Sequence, residues 1–278
     1  MNKTMFSVRD LEKIYKPAKE SHKGQNGKLS IIGGSQLFHG ASLWALKVAS
    51  RIVDMVFYSS IKENNALTQQ LKSQLYDFIA IPRAHLEEYL AESDAILIGP
   101  GMPREEGRAI DEEPTRELTK RLLAAFSHKR WIIDAGALQT MDPEWLLQLE
   151  GRVILTPHPR EFEILFHKLP SEESVADTAK KYNSIILLKG EEDIISSSDS
   201  QVLVKGGNEG MTKGGTGDVL AGLVAALACK NDMFLSAQAA SFINKKASDD
   251  LYKTVGPYFN ASDLVGKIPV IMNQYIYK

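Results

Sequence analysis

Short apolar segments recur along this 278-residue chain and restrict its fold more than any other feature. They are KLSIIGG (28–34), AILIGPG (95–101), RWIIDAGAL (130–138), RVILTPHP (152–159), IILLKG (185–190), DIISSS (193–198) and QVLVKGG (201–207). Most are apolar at consecutive positions, which is typical of strands covered on both faces, since a half-exposed strand would alternate apolar and polar residues. We therefore predict an α/β fold in which helices cover both faces of a central sheet.

Helical patterns lie between these segments, and the alternation predicts a mostly parallel sheet. They include GASLWALKVASRIVDMV (40–56), TRELTKRLLAAF (115–126) and SAQAASFINKKASDDLY (236–252). The segments 193–198 and 201–207 are separated only by Asp199 and Ser200, which predicts a hairpin that adds antiparallel strands to one side. With no linker, repeat or low-complexity tract, residues 1–278 are expected to form a single domain.

Composition narrows the classes of partner. With 33 basic and 35 acidic residues, the chain has no net charge that would favour nucleic acid or an anionic membrane. A lone cysteine, Cys229, excludes an internal disulfide and a multi-cysteine metal site. The first residues lack the apolar core of a signal peptide, so we expect a cytoplasmic protein without membrane contact.

Several predicted strands end in glycine, proline or a polar residue, namely in GGS (33–35), GPG (99–101), DAG (134–136), TPHP (156–159) and KG (189–190). Ligands of open parallel sheets bind at the carboxyl ends of the strands. These five ends are therefore predicted to line one crevice.

The segment GMTKGGTGDVLAG (210–222) places glycines directly before an apolar helical run, VLAGLVAALA. A glycine-rich turn is the simplest interpretation. Glycines before a helix also let several backbone N–H groups face one point, where the helix dipole adds positive charge. The segment therefore predicts an anion hole. It fits neither a dinucleotide fingerprint, because Leu220 stands at the third glycine position, nor a Walker A loop, because Thr216 stands at the lysine position.

Asp218 lies in the first turn of that helix, where like charge would repel a phosphate. It could be an N-terminal cap. Alternatively, it could act as a general base that deprotonates a substrate hydroxyl while the anion hole stabilises a transferring phosphoryl group. The second interpretation describes a kinase-like step on an alcohol.

Together, GGTGDVLAG, HKGQNG (22–27), IIGGS (31–35), GPG, LTPHPREFEIL (155–165) and LLKG (187–190) resemble, in order, the ADP/ATP-dependent NAD(P)H-hydrate dehydratases. The resemblance covers roughly residues 20 to 265 and implies a ribokinase-like three-layer sandwich. It also implies repair of NADH or NADPH hydrated at C6 of the nicotinamide ring, by phosphorylation of the ring hydroxyl and expulsion of phosphate. The epimerase domain that often accompanies this family is not expected in a chain of this length.

The resemblance also implies roles for individual residues. Asp218 matches the catalytic base and contacts substrate, and the amides of Gly215, Thr216 and Gly217 would hold the transferring phosphate. The other matches are Ala41, Gly101 and His158 for the hydrated cofactor, Lys189, Gly190, Glu191, Glu192, Asp193 and Gly217 for ADP or ATP, and Glu161 for indirect organisation of Mg²⁺. Relatives further imply a homo-oligomer, commonly a tetramer.

Other interpretations of these positions stay open. His158 could merely satisfy backbone groups, Lys189 could be a solvated loop charge, and Ala41 and Gly101 could simply allow tight packing. The sequence also departs from the family pattern: Gly136 replaces the second aspartate of a D-A-D-A-L segment, and Arg160 replaces a glycine near the expected phosphate path. SFINKKASDD also lacks the family's usual histidine-glycine pair. A small-molecule kinase of the same fold, or a non-catalytic nucleotide-binding protein, is therefore an alternative.

Overall fold

Ten strands form one sheet in the computed structural model, which describes residues 2–64, 76–104 and 113–277. The strands are β1 (Asn2–Met5), β2 (Lys28–Ile32), β3 (Met55–Ser59), β4 (Ile79–Ala80), β5 (Ala95–Ile98), β6 (Arg130–Ile133), β7 (Val153–Leu155), β8 (Ile185–Leu188), β9 (Asp193–Ser196) and β10 (Ser200–Val204). Their order across the sheet is β1-β10-β9-β8-β7-β6-β5-β2-β3-β4.

Seven neighbouring strands, from β8 across to β4, run parallel to one another. β9 is antiparallel to both β8 and β10, so the predicted hairpin is confirmed. β1 extends this side of the sheet by pairing in parallel with β10. The mostly parallel α/β fold predicted from the apolar segments is therefore confirmed.

Nine α-helices lie entirely within the described residues. They are α1 (His39–Ala49), α2 (Leu86–Glu92), α3 (Thr115–Ala125), α4 (Ala135–Thr140), α5 (Pro159–Phe166), α6 (Glu172–Lys181), α7 (Thr216–Ala228), α8 (Met233–Val255) and α9 (Ala261–Ile276). In the part of the chain that the structure describes, no helix combines the length and apolarity needed to cross a bilayer.

Helices cover both faces of the sheet, and each face has its own apolar core. In β5, Ala95 and Leu97 pack into the core shared with α1, α7, α8 and α9. The alternate residues Ile96 and Ile98 pack into the core shared with α2 to α6. Because successive side chains of a strand point to opposite faces, a strand between two helical layers is apolar at every position. This arrangement explains the uninterrupted apolar segments of the sequence.

One predicted helix was too long. The segment 40–56 was expected to be helical throughout, but α1 ends at Ala49 and Met55 begins strand β3. Asp54 accepts hydrogen bonds from the backbone N–H groups of Gly24 (2.8 Å) and Asn26 (3.0 Å), which fixes the turn before the strand. The apolar residues of this segment could be buried in either a helix or a strand. Pairing with β2 decides in favour of the strand.

Helix α7 lies unusually close to α1. A Cβ atom at Gly222 would lie 2.6 Å from the Cα atom of Ala45, so any side chain there would collide with the backbone of α1. The small residues of α7 therefore set the position of its N-terminus relative to the sheet.

Candidate active site

Three neighbouring strands deliver polar side chains to one end of the sheet. Asp134 follows β6, Thr156 follows β7 and Lys189 follows β8. The Thr156 hydroxyl donates a hydrogen bond of 2.8 Å to Asp134 Oδ1, and Lys189 Nζ lies 3.1 Å from the same oxygen. Asp134 is only 2% exposed. The predicted meeting of the DAG, TPHP and KG strand ends is thus confirmed.

Glu161 joins this group from the first turn of α5. Its backbone N–H donates to His158 Nδ1 at 3.2 Å, and its Oε2 accepts the backbone N–H of His158 at 2.9 Å. Gln139 Nε2 donates to Glu161 Oε1 at 2.9 Å. Lys189 Nζ lies 3.8 Å from Glu161 Oε2. His158 therefore caps a helix, and Lys189, whose side chain is 20% exposed, is a half-buried cation between two carboxylates rather than a solvated loop charge.

The glycine-rich segment forms the start of α7. Gly215 is the N-cap, with a φ of +94° that favours glycine, and a Cβ atom there would lie 2.4 Å from the ring of Trp44. The hydroxyl of Thr216 donates to the carbonyl oxygens of Met211 (2.6 Å) and Lys213 (2.9 Å). The turn is consequently held by contacts on both sides, and only glycine fits at its centre.

Asp218 is the third residue of α7, so the interpretation of this residue as the N-cap is wrong. The first N–H groups of a helix have no partner within the helix and carry positive partial charge. The N–H of Thr216 points to the carbonyl of Lys213 at 3.4 Å, which leaves Gly215 and Gly217 as the better-placed amides of the three predicted ones. A Cβ atom at Gly217 would lie 3.6 Å from Lys189 Nζ. An anion at this helix end would therefore meet an ammonium as well as the amides.

Burial raises the pKa of Asp218 to about 7, and the negative charges of Asp134 and Glu161 act in the same direction. The nearby Lys189 opposes this shift. A carboxylate with a pKa near neutrality is a far better proton acceptor than an ordinary aspartate. Burial alone would lower the pKa of Lys189, but the charges of Asp134 and Glu161 outweigh it and raise the pKa of this ammonium. Lys189 therefore stays charged.

A cavity of about 700 Å³ opens beside the start of α7. Its walls come from the predicted phosphate region, from the loop after β8, from the loop after β10 and from α8. Among the lining residues are His158, Lys189, Gly190, Glu191, Thr216, Gly217, Leu220, Met211, Asn244 and Lys245. The volume is within the range of small-molecule and cofactor sites.

The predicted nucleotide-binding segment, residues 189–193, contains residues that line the cavity and one that does not. Gly190, Glu191 and Asp193 line the cavity, whereas Glu192 lies 3.7 Å from Lys205 in an ion pair. The carboxylate of Asp193 accepts hydrogen bonds from the Gly190 N–H (2.9 Å) and the Ser241 hydroxyl (2.7 Å). Asp193 therefore shapes the loop with its side chain and is not free to bind a ligand.

Ala41 and Gly101, the residues predicted to approach the hydrated cofactor, lie against each other. A Cβ atom at Gly101, whose φ is +70°, would lie 3.1 Å from Ala41 Cβ and 2.2 Å from the carbonyl oxygen of Phe38. Close packing of the chain is thus sufficient to explain Gly101. Neither residue belongs to the 700 Å³ cavity, and Gly34, which also touches the Gly101 position, lines a smaller one of about 370 Å³.

Two of the three departures from the family pattern can be placed in the structure. A Cβ atom at Gly136 would lie 2.2 Å from the carbonyl oxygen of Met102, so an aspartate does not fit this backbone. Arg160 was expected to add charge near the phosphate path, but its exposed guanidinium pairs with Glu163 at 3.0 Å and does not line the cavity. Position 160 faces outward on α5, and its effect on a bound phosphate stays a prediction.

Asp134 was predicted to lie in the crevice as the first residue of the DAG strand end, but it received no chemical role from the sequence. Asn244 and Lys245 also reach the cavity unpredicted, since a position on a long helix carries no comparable signal.

Within residues 2–64, 76–104 and 113–277, no three His, Cys, Asp or Glu side chains are grouped so that they could hold a metal ion by themselves. Both carboxylate oxygens of Glu161 already accept hydrogen bonds. Mg²⁺ is commonly bound through one or two carboxylates together with substrate phosphates. The donor set fits an ion that arrives with a nucleotide.

The family model described as NAD(P)H-hydrate dehydratase matches residues 29–270. The chain is 36% identical to the ADP-dependent (S)-NAD(P)H-hydrate dehydratase of Nitrosopumilus maritimus, with 92% of each chain covered. It is also 36% identical to the bifunctional NAD(P)H-hydrate repair enzyme of Methanocaldococcus jannaschii, over 95% of this chain but 51% of that protein. The chain thus spans about half the length of such bifunctional relatives.

Solved structures show the same fold. A ribokinase-like superfamily protein from Enterococcus faecalis superposes with a TM-score of 0.86 at 23% identity, covering 99% of this chain and 97% of its own. The ADP/ATP-dependent NAD(P)H-hydrate dehydratase of Bacillus subtilis, co-crystallised with ATP and Mg²⁺, superposes with a TM-score of 0.81 at 22% identity, covering 99% of both chains. The predicted ribokinase-like architecture is therefore confirmed.

Proposed function

The chain belongs to the NAD(P)H-hydrate dehydratase family, and we propose that it restores hydrated NADH or NADPH to the intact cofactor by a nucleotide-dependent dehydration. ADP or ATP would supply the phosphoryl group. The relative of similar length is named for ADP, and the similar fold from B. subtilis is named for both nucleotides.

One observation carries this proposal: Asp218, with a pKa raised to about 7, lies within the first turn of α7, beside amides suited to an anion. A base and an anion hole on the same helical turn can act on both reacting groups of a phosphoryl transfer, the hydroxyl and the phosphoryl group. The base faces the hydroxyl that loses its proton, and the amides face the phosphoryl group that becomes bonded to it.

The reaction then has two stages. Asp218 accepts the proton of the C6 hydroxyl as the oxygen of that hydroxyl forms a bond to the terminal phosphorus, and the bond from that phosphorus to the rest of the nucleotide breaks. The product nucleotide leaves with one phosphate fewer. The lone pair of the ring nitrogen next expels the phosphate, breaking the C6–O bond, and loss of a proton from C5 restores the ring double bond. Hydroxide is a poor leaving group. Phosphorylation of the hydroxyl lets phosphate leave in its place.

The 700 Å³ cavity is the proposed nucleotide site, because the amide of Gly217 and the ammonium of Lys189 meet on one side of it. Lys189 would attract the phosphates while its carboxylate partners hold it in place. Mg²⁺ bound with the nucleotide would offset polyphosphate charge. Glu161 would reach that ion only indirectly, since both its oxygens accept hydrogen bonds within the protein.

The hydrated cofactor is proposed to approach Asp218 from the side of Ala41 and Gly101. Both residues are small and only partly buried, and His158, the third residue that the family resemblance assigns to this cofactor, lines the nucleotide cavity. The support for this part is the family resemblance together with the contact of Ala41 and Gly101.

The decisive experiment mixes the purified protein with hydrated NADH or NADPH, Mg²⁺ and either ADP or ATP, and follows the near-ultraviolet absorbance of the restored dihydronicotinamide. We expect a rise that requires a nucleotide. Nucleotide consumption with a stable phosphorylated alcohol as product would instead indicate a kinase. Nucleotide binding without turnover of any substrate would indicate a non-catalytic protein.

A homo-oligomer and a cytoplasmic location stay predictions. Light scattering of the purified protein and fractionation of cells test them.

A further inference from the structure

Three polar residues spaced four positions apart form one face of α8. Ser241, Lys245 and Asp249 have the spacing that places side chains on the same side of a helix. They belong to SFINKKASDD, the segment that lacks the family's usual histidine-glycine pair. Ser241 is 0% exposed and Lys245 is 4% exposed. The partners of this face lie in the two loops, after β8 and after β10, that line the 700 Å³ cavity.

The ammonium of Lys245 joins these two loops. Its Nζ donates to the carbonyl oxygens of Gly190 (2.9 Å) and Glu191 (3.0 Å) in the loop after β8. It also donates to the carbonyl oxygen of Gly206 (3.2 Å) in the loop after β10. A carboxylate oxygen of Asp193 lies 3.3 Å away. Since a lysine has three N–H donors, this ammonium is fully used within the protein.

The other two residues of the polar face hold the same loops. The Ser241 hydroxyl donates to Asp193 Oδ2 at 2.7 Å, and Asp193 Oδ1 accepts the N–H of Gly190 at 2.9 Å. On the next turn of α8, Asp249 Oδ1 accepts the N–H of Gly207 at 3.1 Å. Each loop is therefore attached to α8 by the shared ammonium and by one further side chain.

The charge of Lys245 also compensates a carboxylate at the cavity. The side chains of Lys245 and Asp193 are both 5% exposed, and both residues line the cavity. Burial raises the pKa of the Asp193 carboxyl, and the positive charge of Lys245 opposes that rise. Removing one partner of a buried ion pair leaves an uncompensated charge and is strongly unfavourable. The two loops should therefore rearrange when the ammonium is removed.

We propose that Lys245 is a positioning residue for the nucleotide, whose ammonium holds the loops after β8 and β10 in the arrangement that binds ADP or ATP. The inference rests on the proposed nucleotide site and adds to it a residue that sets the affinity of that site. The contacts of Lys245 described above do not include Asp218. Loss of the ammonium should therefore weaken nucleotide binding and leave the chemical step intact.

The test is Lys245→Met, which removes the ammonium and keeps an unbranched side chain. Calorimetric titration with ADP in the presence of Mg²⁺ should show an affinity about ten- to hundredfold below that of the unmodified protein, the scale for one hydrogen-bonded charge. In the absorbance assay, the KM for the nucleotide should rise by a similar factor. The kcat at saturating nucleotide and the KM for hydrated NADH should stay within about threefold, because the variant removes neither the base nor a contact to the cofactor.

Hydrogen–deuterium exchange measures the positioning of the loops directly. The N–H groups of Gly190 and Gly207 are held by Asp193 and Asp249 while the loops stay against α8. In the absence of ADP, peptides that contain these glycines should exchange faster in Lys245→Met than in the unmodified protein. Peptides from β6 and β7 should exchange at the same rate in both proteins.

Lys246→Met is the matched control. Lys246 is the next residue on α8, is only partly buried and does not line the cavity, so this variant removes the same charge from outside the site. Its ADP affinity should stay within about twofold of that of the unmodified protein. Should the methionine at position 245 prevent folding, Lys245→Gln takes its place. That variant should also weaken ADP binding, because a neutral amide does not offset the charge of Asp193.

Unchanged ADP affinity in a folded Lys245→Met protein would overturn the positioning role. Equal losses in ADP affinity, kcat and affinity for hydrated NADH would also overturn it, because Lys245 would then support the fold as a whole. Failure of the unmodified protein to bind ADP would remove the nucleotide site, together with this inference. If the unmodified protein binds ADP but restores no hydrated cofactor, the proposed reaction fails, whereas calorimetry and exchange still decide the role of Lys245.

Discussion

Lys189 Nζ lies 3.1 Å from Asp134 Oδ1, and this ion pair connects the carboxyl ends of β8 and β6. The same ammonium lies 3.8 Å from Glu161 and borders Gly217. One half-buried cation therefore connects the ends of β6 and β8 with the first turn of α5, and it lies beside the first turn of α7.

Removing this cation should destabilise the fold. Lys189→Met leaves Asp134 buried without its partner, which typically costs roughly 3–5 kcal/mol. The free energy of unfolding, measured in urea, should fall by that order, and the double variant Asp134→Asn/Lys189→Met should recover part of the loss. Lys205→Met is the control: its exposed ammonium lies 3.7 Å from Glu192, and its removal should change stability by no more than about 0.5 kcal/mol. Equal effects of the two lysine variants would contradict the structural role of Lys189.

Replacing the base should abolish turnover without loss of the nucleotide site. Asp218→Asn keeps the size of the side chain but cannot accept the proton, so the rate should fall about 10²-fold or more while ADP or ATP still binds. Rates come from the absorbance assay and affinities from calorimetry. Asp177→Asn removes the same charge from an exposed position on α6 and should leave the rate unchanged. An active Asp218→Asn protein would show that another group takes the proton.

The rate should depend on pH through Asp218. Only the deprotonated carboxylate accepts a proton, so turnover should rise as the pH increases through about 7 and then level off. A rate already constant from pH 5 upward would show that the base titrates as an ordinary aspartate.

The same pKa shift predicts that Asp218 costs stability at neutral and alkaline pH. Its pKa is raised from 3.8 to about 7 on folding, so the folded state holds the proton more tightly than the unfolded state. The stabilising effect of that proton is complete below pH 3.8 and is lost as the pH rises through about 7. Asp218→Asn should therefore raise the melting temperature by a few degrees at pH 8, with a smaller difference at pH 4. A variant that melts earlier at pH 8 would rule this out.

Replacement of glycine by alanine should lower the stability of the protein at one position and raise it at another. Gly136→Ala places a methyl group 2.2 Å from the carbonyl oxygen of Met102 and should destabilise the protein by about 1–3 kcal/mol. Gly266, inside α9, has nothing within 4 Å of its Cβ position. Gly266→Ala should therefore stabilise by about 0.5–1 kcal/mol. Thermal or urea unfolding of both variants gives the signs, and a harmless Gly136→Ala would show that Met102 moves aside.

The parallel sheet could be predicted, and so could the cluster of polar side chains at the carboxyl ends of its strands. Uninterrupted apolar strands followed by Asp134, Thr156 and Lys189 leave few other arrangements. The sequence does not show how tightly these side chains interact. Nothing in the letters DAGAL distinguishes a capping aspartate from one held by a lysine that is 55 residues away in the chain.

Two further features escaped prediction for different reasons. Residues 55–59 are apolar enough for either a helix or a buried strand, and only pairing with β2 decides between them. Asn244 lies among helical residues whose polar side chains usually face water. It is nevertheless only 2% exposed, and no local pattern in the sequence reports this burial.

The candidate site draws on both helical layers, since α7 and α8 pack on one face of the sheet and α5 on the other. The cavity between them is bordered by His158 from one side and by Leu220 and Asn244 from the other. A nucleotide bound there would contact both helical layers at the carboxyl ends of the strands. The two layers could then separate only after the nucleotide had dissociated. Binding of the nucleotide would then raise the free energy of unfolding of the whole protein. A high nucleotide concentration in the cell would keep the protein folded as well as active.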